Sequence, residues 1–407
     1  MSKFIKTIII IIFLIVYIYI CNIECIPSNI ILFEGEKINF KTILGLSIKK
    51  KDNITIMQTS SNIDQALEEK TGKINLELNL FNSISLKDMT VNVIPKTKVV
   101  PIGGTIGLKL YTKGILVVGM SEISGKQPYQ NSGIKEGDTI ISVNQKEIHS
   151  TAELIEAINT SNGKDVVIEY LSNEEVKTTI IQPSKDNQNE YKLGLWVRDA
   201  AAGVGTITYY EPSTQNFAAL GHGIQDIDTG KLITISNGEI VTAEIASIQK
   251  GERGNPGEIK GNISLGKAVG QITKNTNFGI YGKLNDITLL DINNENAIEV
   301  ATREEIKTGK AKIICSLENN KKEEFEIEIE KVFTSNNENN KSMQIRVTDP
   351  KLIEITGGII QRNEWKPYYS KREICWCCNT CISKWSNSRL WGICRYYDKA
   401  IKRSVKN

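Results

Sequence analysis

The sequence predicts a mainly β protein led by a single apolar helix, and three observations carry that expectation. Short aliphatic and β-branched runs recur along the chain between glycines and polar turn residues. The C-terminal half shows no long amphipathic helical pattern. An uncharged apolar run, Thr7–Ile23, follows Lys3 and Lys6 at the start. The chain has 407 residues, room for two or three domains with their own cores. Fifty Lys and Arg against 47 Asp and Glu leave a net charge of +3. Nothing in that balance suggests nucleic acid or an anionic surface as the main partner. Ile, Lys and Asn are abundant, and their codons point to a low-GC genome.

The apolar run is short for a spanning helix and slightly longer than a signal-peptide core. No Ala-x-Ala site follows it, and Ile20 is too bulky for lipoprotein cleavage before Cys21. The expectation is an uncleaved signal anchor over 1–25, with its positive end inside and the remainder exported. A cleaved signal peptide is the other reading. Residues 26–101 form a small β domain, with strands at Ile30–Phe33, Ile54–Met57, Ile74–Leu78 and Met89–Ile94, and no chemistry is assigned to it.

Residues 102–187 read as a second domain. Lys113-Gly114 leads into the apolar run Ile115-Leu116-Val117-Val118. The stretch Pro128 to Asn144 contains Ser132-Gly133-Ile134 and Gly137-Asp138 before an apolar strand. Thr151–Asn159 has helical spacing with Leu154, Ile155 and Ile158 on one face, and Val166–Tyr170 closes as a strand. This pattern resembles a PDZ domain of the bacterial protease-associated kind. Such domains take an extended peptide on a strand edge beside an apolar pocket. The resemblance implies a peptide-binding edge at Gly114, Ile115 and Leu116, with Leu154 and Ile158 lining the pocket. On the residues alone, the last two are equally well ordinary core positions.

Residues 188–361 are rich in short strands and glycine turns: Val204–Tyr210, Leu232–Ile235, Glu239–Ile245, Phe325–Ile329 and Met343–Val347. An all-β barrel or sandwich follows. Gly251–Gly261 lacks the Lys-Ser/Thr ending of a phosphate loop and reads as a plain turn. Of the two histidines, His149 lies in a polar loop and reads as solvated surface. His222 sits among small residues, Ala218-Ala219-Leu220-Gly221-His222-Gly223, where a substrate backbone can approach the ring.

Several segments in order carry a further resemblance. They are Gly203–Tyr210, Ala218–His222, Asp226-x-Asp228-Thr229-Gly230, Gly254-Asn255-Pro256-Gly257-Glu258, and Thr348-Asp349-Pro350 before Thr356–Gln361. Together they resemble the SpoIVB peptidases, the sporulation signalling serine peptidases of spore-forming Firmicutes, and the resemblance covers the chain up to Gln361. It implies a chymotrypsin-like barrel with a triad in the chain order His, Asp, Ser. His222 matches the general base and Asp349 the orienting carboxylate, although before Pro350 that aspartate is also a natural turn residue. It calls for no cofactor and no metal. Its partners would be protein or peptide substrates and a PDZ ligand, either the chain's own terminus or another protein's. The membrane would be met through the N-terminal helix. The family works between the forespore and mother-cell membranes, cutting itself and a membrane-bound regulator of sigma-factor processing.

The family's nucleophile belongs in Gly-Met-Ser-Gly-Ser-Pro directly after Gln361. Here the chain reads Arg362-Asn363-Glu364-Trp365-Lys366-Pro367, so Glu364 stands where the serine is expected. Ser370 has the wrong neighbours to replace it. Composition also breaks at this point. Four of the five Trp lie beyond Gln361, and Cys375, Cys377, Cys378, Cys381 and Cys394 crowd together. Reading each tail codon one base later permits the whole missing motif, with its first Gly-Ser-Pro glycine forced by Trp365. The same frame permits Val-Gly-Ala-Val-Thr-His-Val over Cys375–Cys381. Only Trp385 forces a glycine where an acidic residue is expected. One extra base near the Gln361 codon explains the set, and 362–407 is read as an out-of-frame tail. The competing reading is a zinc site on the clustered thiols, but structural zinc prefers two separated knuckles. Resequencing the DNA across the codons of Gly358 to Pro367 should find one base fewer than this frame requires; an unchanged sequence would make the disruption genuine.

Overall fold

The computed structural model describes residues 3–26, 28–34, 37–38, 46–50, 56–57, 65–66, 72–81, 83–173, 175–252, 257–264, 266–301, 306–317, 321–332 and 343–358. It also gives the backbone of strands at 368–370, 373–374, 378–381 and 390–392. Two compact units divide after Thr97.

In the first unit, helix α1 (Lys3–Cys25) exposes its apolar stretch and is long and apolar enough to cross a membrane. Its last turn has no basic residue of its own to meet the free carbonyls there. Lys87 supplies one from the sheet, donating to the carbonyls of Ile23 (3.2 Å) and Ile26 (2.6 Å). The sheet has five strands: β1 (Asn29–Phe33), β2 (Leu46–Lys50), β3 (Ile56–Met57), β4 (Gly72–Leu80) and β5 (Ile84–Ile94). Their spatial order is β1-β5-β4-β2-β3, with only the β1–β5 pair parallel. Along β4, Ile74, Leu76 and Leu78 alternate inward and meet Ile48, Met89 and Val91 in one core.

The second unit is organised by two long strands, β6 (Lys98–Met120) and β10 (Leu195–Glu211), which pair antiparallel from end to end. Between them in sequence come β7 (Thr139–Val143), α2 (Thr151–Thr160), β8 (Val166–Ser172) and β9 (Glu175–Ile181). Ser150 caps α2 by accepting from the Glu153 amide at 3.2 Å, as its position before the apolar spacing requires. These elements surround a core of Ile115, Val117, Ile140, Leu154, Ile158, Val166 and Ile168.

The remaining halves of β6 and β10 belong to a barrel. It is completed by β11 (Asn216–Ala219), β12 (Ile235–Gln249), β13 (Glu258–Ile263), β14 (Gly270–Thr276) and β15 (Gly279–Leu284), of which β13 pairs only with the far end of β12. The antiparallel pairings β6-β10-β11-β15-β14-β12 return to β6, closing a six-stranded ring. Closure leaves none of these strands with a bare edge inside the ring. Ile106, Leu108, Ile207, Phe217, Ile240, Ile272 and Ile280 fill it.

β12 outruns the ring, and Ile245 and Ile248 join a separate core with β16 (Gly309–Ser316), β17 (Lys322–Val332) and β18 (Met343–Val347). These three form an antiparallel meander. β17 turns Phe325, Ile327 and Ile329 inward and alternates them with Glu324, Glu326, Glu328 and Glu330. α3 (Pro350–Thr356) follows, and the tail strands 368–370 and 390–392 pair with β16 and β18. The fold is mainly β, and the closed ring beside a second β core fits a chymotrypsin-like domain.

The two cores touch at Gly103, whose φ of +64° lets β6 pass against β16; an added Cβ would lie 2.4 Å from the Ile314 carbonyl oxygen. Gly103→Ala should cost roughly 2–4 kcal/mol in urea unfolding, combining an unfavourable φ with a backbone clash. Gly203→Ala, where a Cβ meets nothing within 4 Å, should be close to neutral and serves as the comparison.

Candidate active site

His222 follows β11 through a tight reversal. Leu220 has φ +67°, and the Gly221 amide donates to the Ala219 carbonyl across it at 3.0 Å, a γ-turn of the left-handed sense. A leucine in that region stores about 1–3 kcal/mol of strain. The barrel holds it there. The Leu220 amide donates to the Thr206 carbonyl of β10 at 3.1 Å, and a Cβ on Gly205 would lie 2.3 Å from Leu220 Cδ2. The reversal throws His222 out of the ring at its rim.

The Nδ1 atom of His222 lies 2.7 Å from the Gly223 carbonyl oxygen. A carbonyl only accepts, so this nitrogen carries the hydrogen. The residue reaches solvent, yet enough protein surrounds the ring that desolvation lowers its pKa, against a smaller upward pull from the Gly223 carbonyl. Burial therefore favours the neutral imidazole, and the bond to Gly223 selects the tautomer in which Nε2 is the basic nitrogen.

The loop after His222 is fixed by two side chains from neighbouring strands. Asn275 of β14 accepts from the Ile224 amide (2.9 Å) and donates to the carbonyls of Ile224 (2.8 Å) and Ile233 (2.9 Å). Arg198 of β10 pairs with the buried Asp226 and, at 2.7 Å, with Asp228. Asp226 also accepts from the Asp228 amide, the Thr229 amide and the Thr229 hydroxyl. Burial pushes the Asp226 pKa up, but the Thr229 bonds, Arg198 and the Asp228 amide together outweigh it and hold the carboxyl below its usual range. Asp226 and Asp228 therefore serve the loop's shape.

Asp349 caps α3. Its Oδ1 accepts from the amides of Lys351 (2.9 Å) and Leu352 (3.2 Å), and its Oδ2 from the Glu326 amide (3.3 Å). One bond of the His222 ring thus runs to Gly223, while the Asp349 carboxylate is bound to the start of α3 and to β17. α3 ends at Thr356, whose carbonyl accepts from the Gly251 amide at 2.8 Å. That contact sets the glycine loop after β12 against the turn at Gly357-Gly358. Glu364 lies outside the described residues, as does the side-chain arrangement of the clustered tail cysteines.

The expected peptide edge has a different environment. Ile115 and Leu116 pair with Ile140 and Thr139 of β7 on one side, and Leu116 pairs with Arg198 of β10 on the other. Gly114, at φ +90°, sits in the bulge where β6 passes from the barrel to this sheet. Leu154 and Ile158 are both buried in the core beneath. His149 is exposed, 3.6 Å from the Glu147 carboxylate. Sequence reasoning overlooked Arg198 and Asn275: an arginine before Asp199 and a polar strand residue carry no motif.

The pattern of the SpoIVB peptidase S55 family matches residues 189–371, and that of the PDZ domain matches 89–182. The chain belongs to the PDZ-containing serine peptidases of the SpoIVB type. Among solved structures, the PDZ domain of the SdrC-like protein of Listeria monocytogenes is similar over 21% of this chain and 87% of its own. That similarity has 20% identity and a TM-score of 0.19, too low to bear weight, so the PDZ assignment stands on the family match. No curated protein matches. His222 and Asp349 both fall inside the peptidase domain, and Leu154 and Ile158 inside the PDZ domain.

A depressed histidine pKa means the unfolded chain binds the proton more readily. Its stabilising contribution is complete above the unfolded value, about 6.5, and is lost as pH falls through the folded one. The melting temperature should drop over that acidic interval, shallowly because the ring reaches solvent. His222→Gln should remove this part of the slope; an identical slope in the variant would place the titration elsewhere.

Proposed function

We propose that the gene encodes an exported, membrane-anchored serine endopeptidase that acts between the forespore and mother-cell membranes. It cuts itself and a membrane-bound regulator of sigma-factor processing. α1 serves as the anchor. The observation that carries the reading is a histidine at the barrel rim whose ring is oriented by its Nδ1 bond to the Gly223 carbonyl and whose pKa is lowered by burial, within a matched S55 domain. His222 takes the proton of the serine hydroxyl and returns it to the leaving amine. Asp349 stabilises the imidazolium that forms, once the nucleophile segment following α3 is present.

The serine is supplied by the shifted frame at the position of Glu364, and the chain as written is inactive for want of it. The missing serine also favours a second reading, a non-enzymatic PDZ protein that keeps peptide recognition alone.

A fluorophosphonate probe separates these readings. The frame-restored protein should be labelled, and His222→Ala should slow labelling by about a thousandfold or more. The chain as written should remain unlabelled. Labelling of the chain as written would overturn the assignment of the nucleophile, and no labelling after frame restoration would leave the binding protein.

A further inference from the structure

We infer that the peptide groove of the PDZ domain is filled by the chain itself, with Leu195–Arg198 as the bound strand, and that Arg198 passes the groove's state to the His222 loop. A PDZ groove needs a strand edge for main-chain pairing and an apolar pocket beside a helix. Both are present, and both are occupied by one segment. Leu195–Arg198 runs antiparallel along Leu116–Met120 as an added strand. Leu195 and Val197 pack on the core that contains Leu154 and Ile158, while Trp196 between them is 63% exposed.

The segment is also tied to the helix at both ends. The Tyr191 amide donates to Asn159 Oδ1 near the end of α2, at 3.0 Å. The Thr151 amide, at the start of α2, donates to Asp199 Oδ2 at 2.7 Å. Within this span the strand lies along the helix as a ligand would. Being part of the same chain, it competes at the millimolar or higher effective concentration of a short tether.

Arg198 gives the arrangement a consequence at the active site. Its backbone pairs with Leu116 in the groove, and its guanidinium reaches Asp226 and Asp228 in the loop that follows His222. A competing peptide that lifts Leu195–Arg198 off the edge withdraws that guanidinium. The competitor this groove selects is an extended segment with aliphatic residues at alternate positions, matching Leu195 and Val197. The inference rests on the PDZ assignment and not on a nucleophile, so its test uses no catalytic readout.

The test is hydrogen exchange read by mass spectrometry on the full chain in detergent micelles, titrated with a synthetic peptide of residues 193–200. Exchange should rise at 195–198 and at 224–231 together, and only at peptide concentrations near millimolar. Leu195→Asp/Val197→Asp should bind the labelled peptide at least about tenfold more tightly than the wild type, since its own strand no longer competes. Arg198→Ala should loosen 224–231 while 115–117 stays protected. Equal affinity of wild type and double variant would overturn the filled groove. Displacement of 195–198 without change at 224–231, or an Arg198→Ala variant with a fully protected loop, would overturn the coupling. Should the double variant fail to fold, the wild-type titration and Arg198→Ala decide the matter between them.

Discussion

The antiparallel ladder between β6 and β10 is the constraint on which the second unit depends. It begins at Met120 with Leu195 and ends at Val100 with Tyr210, crossing from the PDZ domain into the barrel without a linker. The ring path leaves this ladder through β10–β11 and returns to it through β12–β6. β6 carries β7 at one end and lies against β16 at Gly103 near the other. A ladder this long gives the two domains a shared backbone. Strain or release at one end is felt along a stiff hydrogen-bonded element instead of being absorbed in a loop.

The polar groups around His222 divide the labour in an instructive way. The ring's tautomer is fixed by its neighbour's carbonyl, while the loop's path is fixed by Asn275 and by the ion pairs of Arg198. Asn275 bridges the two ends of the loop, offering one acceptor and two donors beside the backbone bond from the Ile233 amide to the Ile224 carbonyl. Asp226 is buried at 2% exposure and tolerates its charge because Arg198 and three hydrogen bonds share it. The His222 loop and the barrel consequently share a strand, since β14 both closes the ring and supplies Asn275.

Much of the fold was legible because alternation writes itself into strands that bury one face. β17 shows it most plainly, with Phe325, Ile327 and Ile329 set between glutamates. The helix at Thr151 was equally readable from its apolar spacing, although of Leu154, Ile155 and Ile158 only the first and last face the core and Ile155 is exposed. The continuity of β6 through Lys113-Gly114 was not, because a glycine after a lysine looks like a turn. Only the opposing strand turns it into a bulge. The same limit applied to the peptide edge: sequence can show that Ile115–Val118 is a strand, but not which strand lies beside it. His222 stood out through its small neighbours. Arg198 could not, because its partners lie about thirty residues away and are brought close only by β10 and the loop.

Lys87 bears on how high the N-terminal unit can stand. Its ammonium pins the last carbonyls of α1 to β5, and β1 begins only at Asn29, soon after the helix ends at Cys25. A helix held in a bilayer by this geometry has no stalk. The sheet that contains Leu76 and Val91 would rest at headgroup level, tilting with the helix like a plate on a short post. Tyr19 and Ile23 already belong to the seam between helix and sheet. In a bilayer, any change in the tilt of the helix would then be carried directly into the orientation of the sheet.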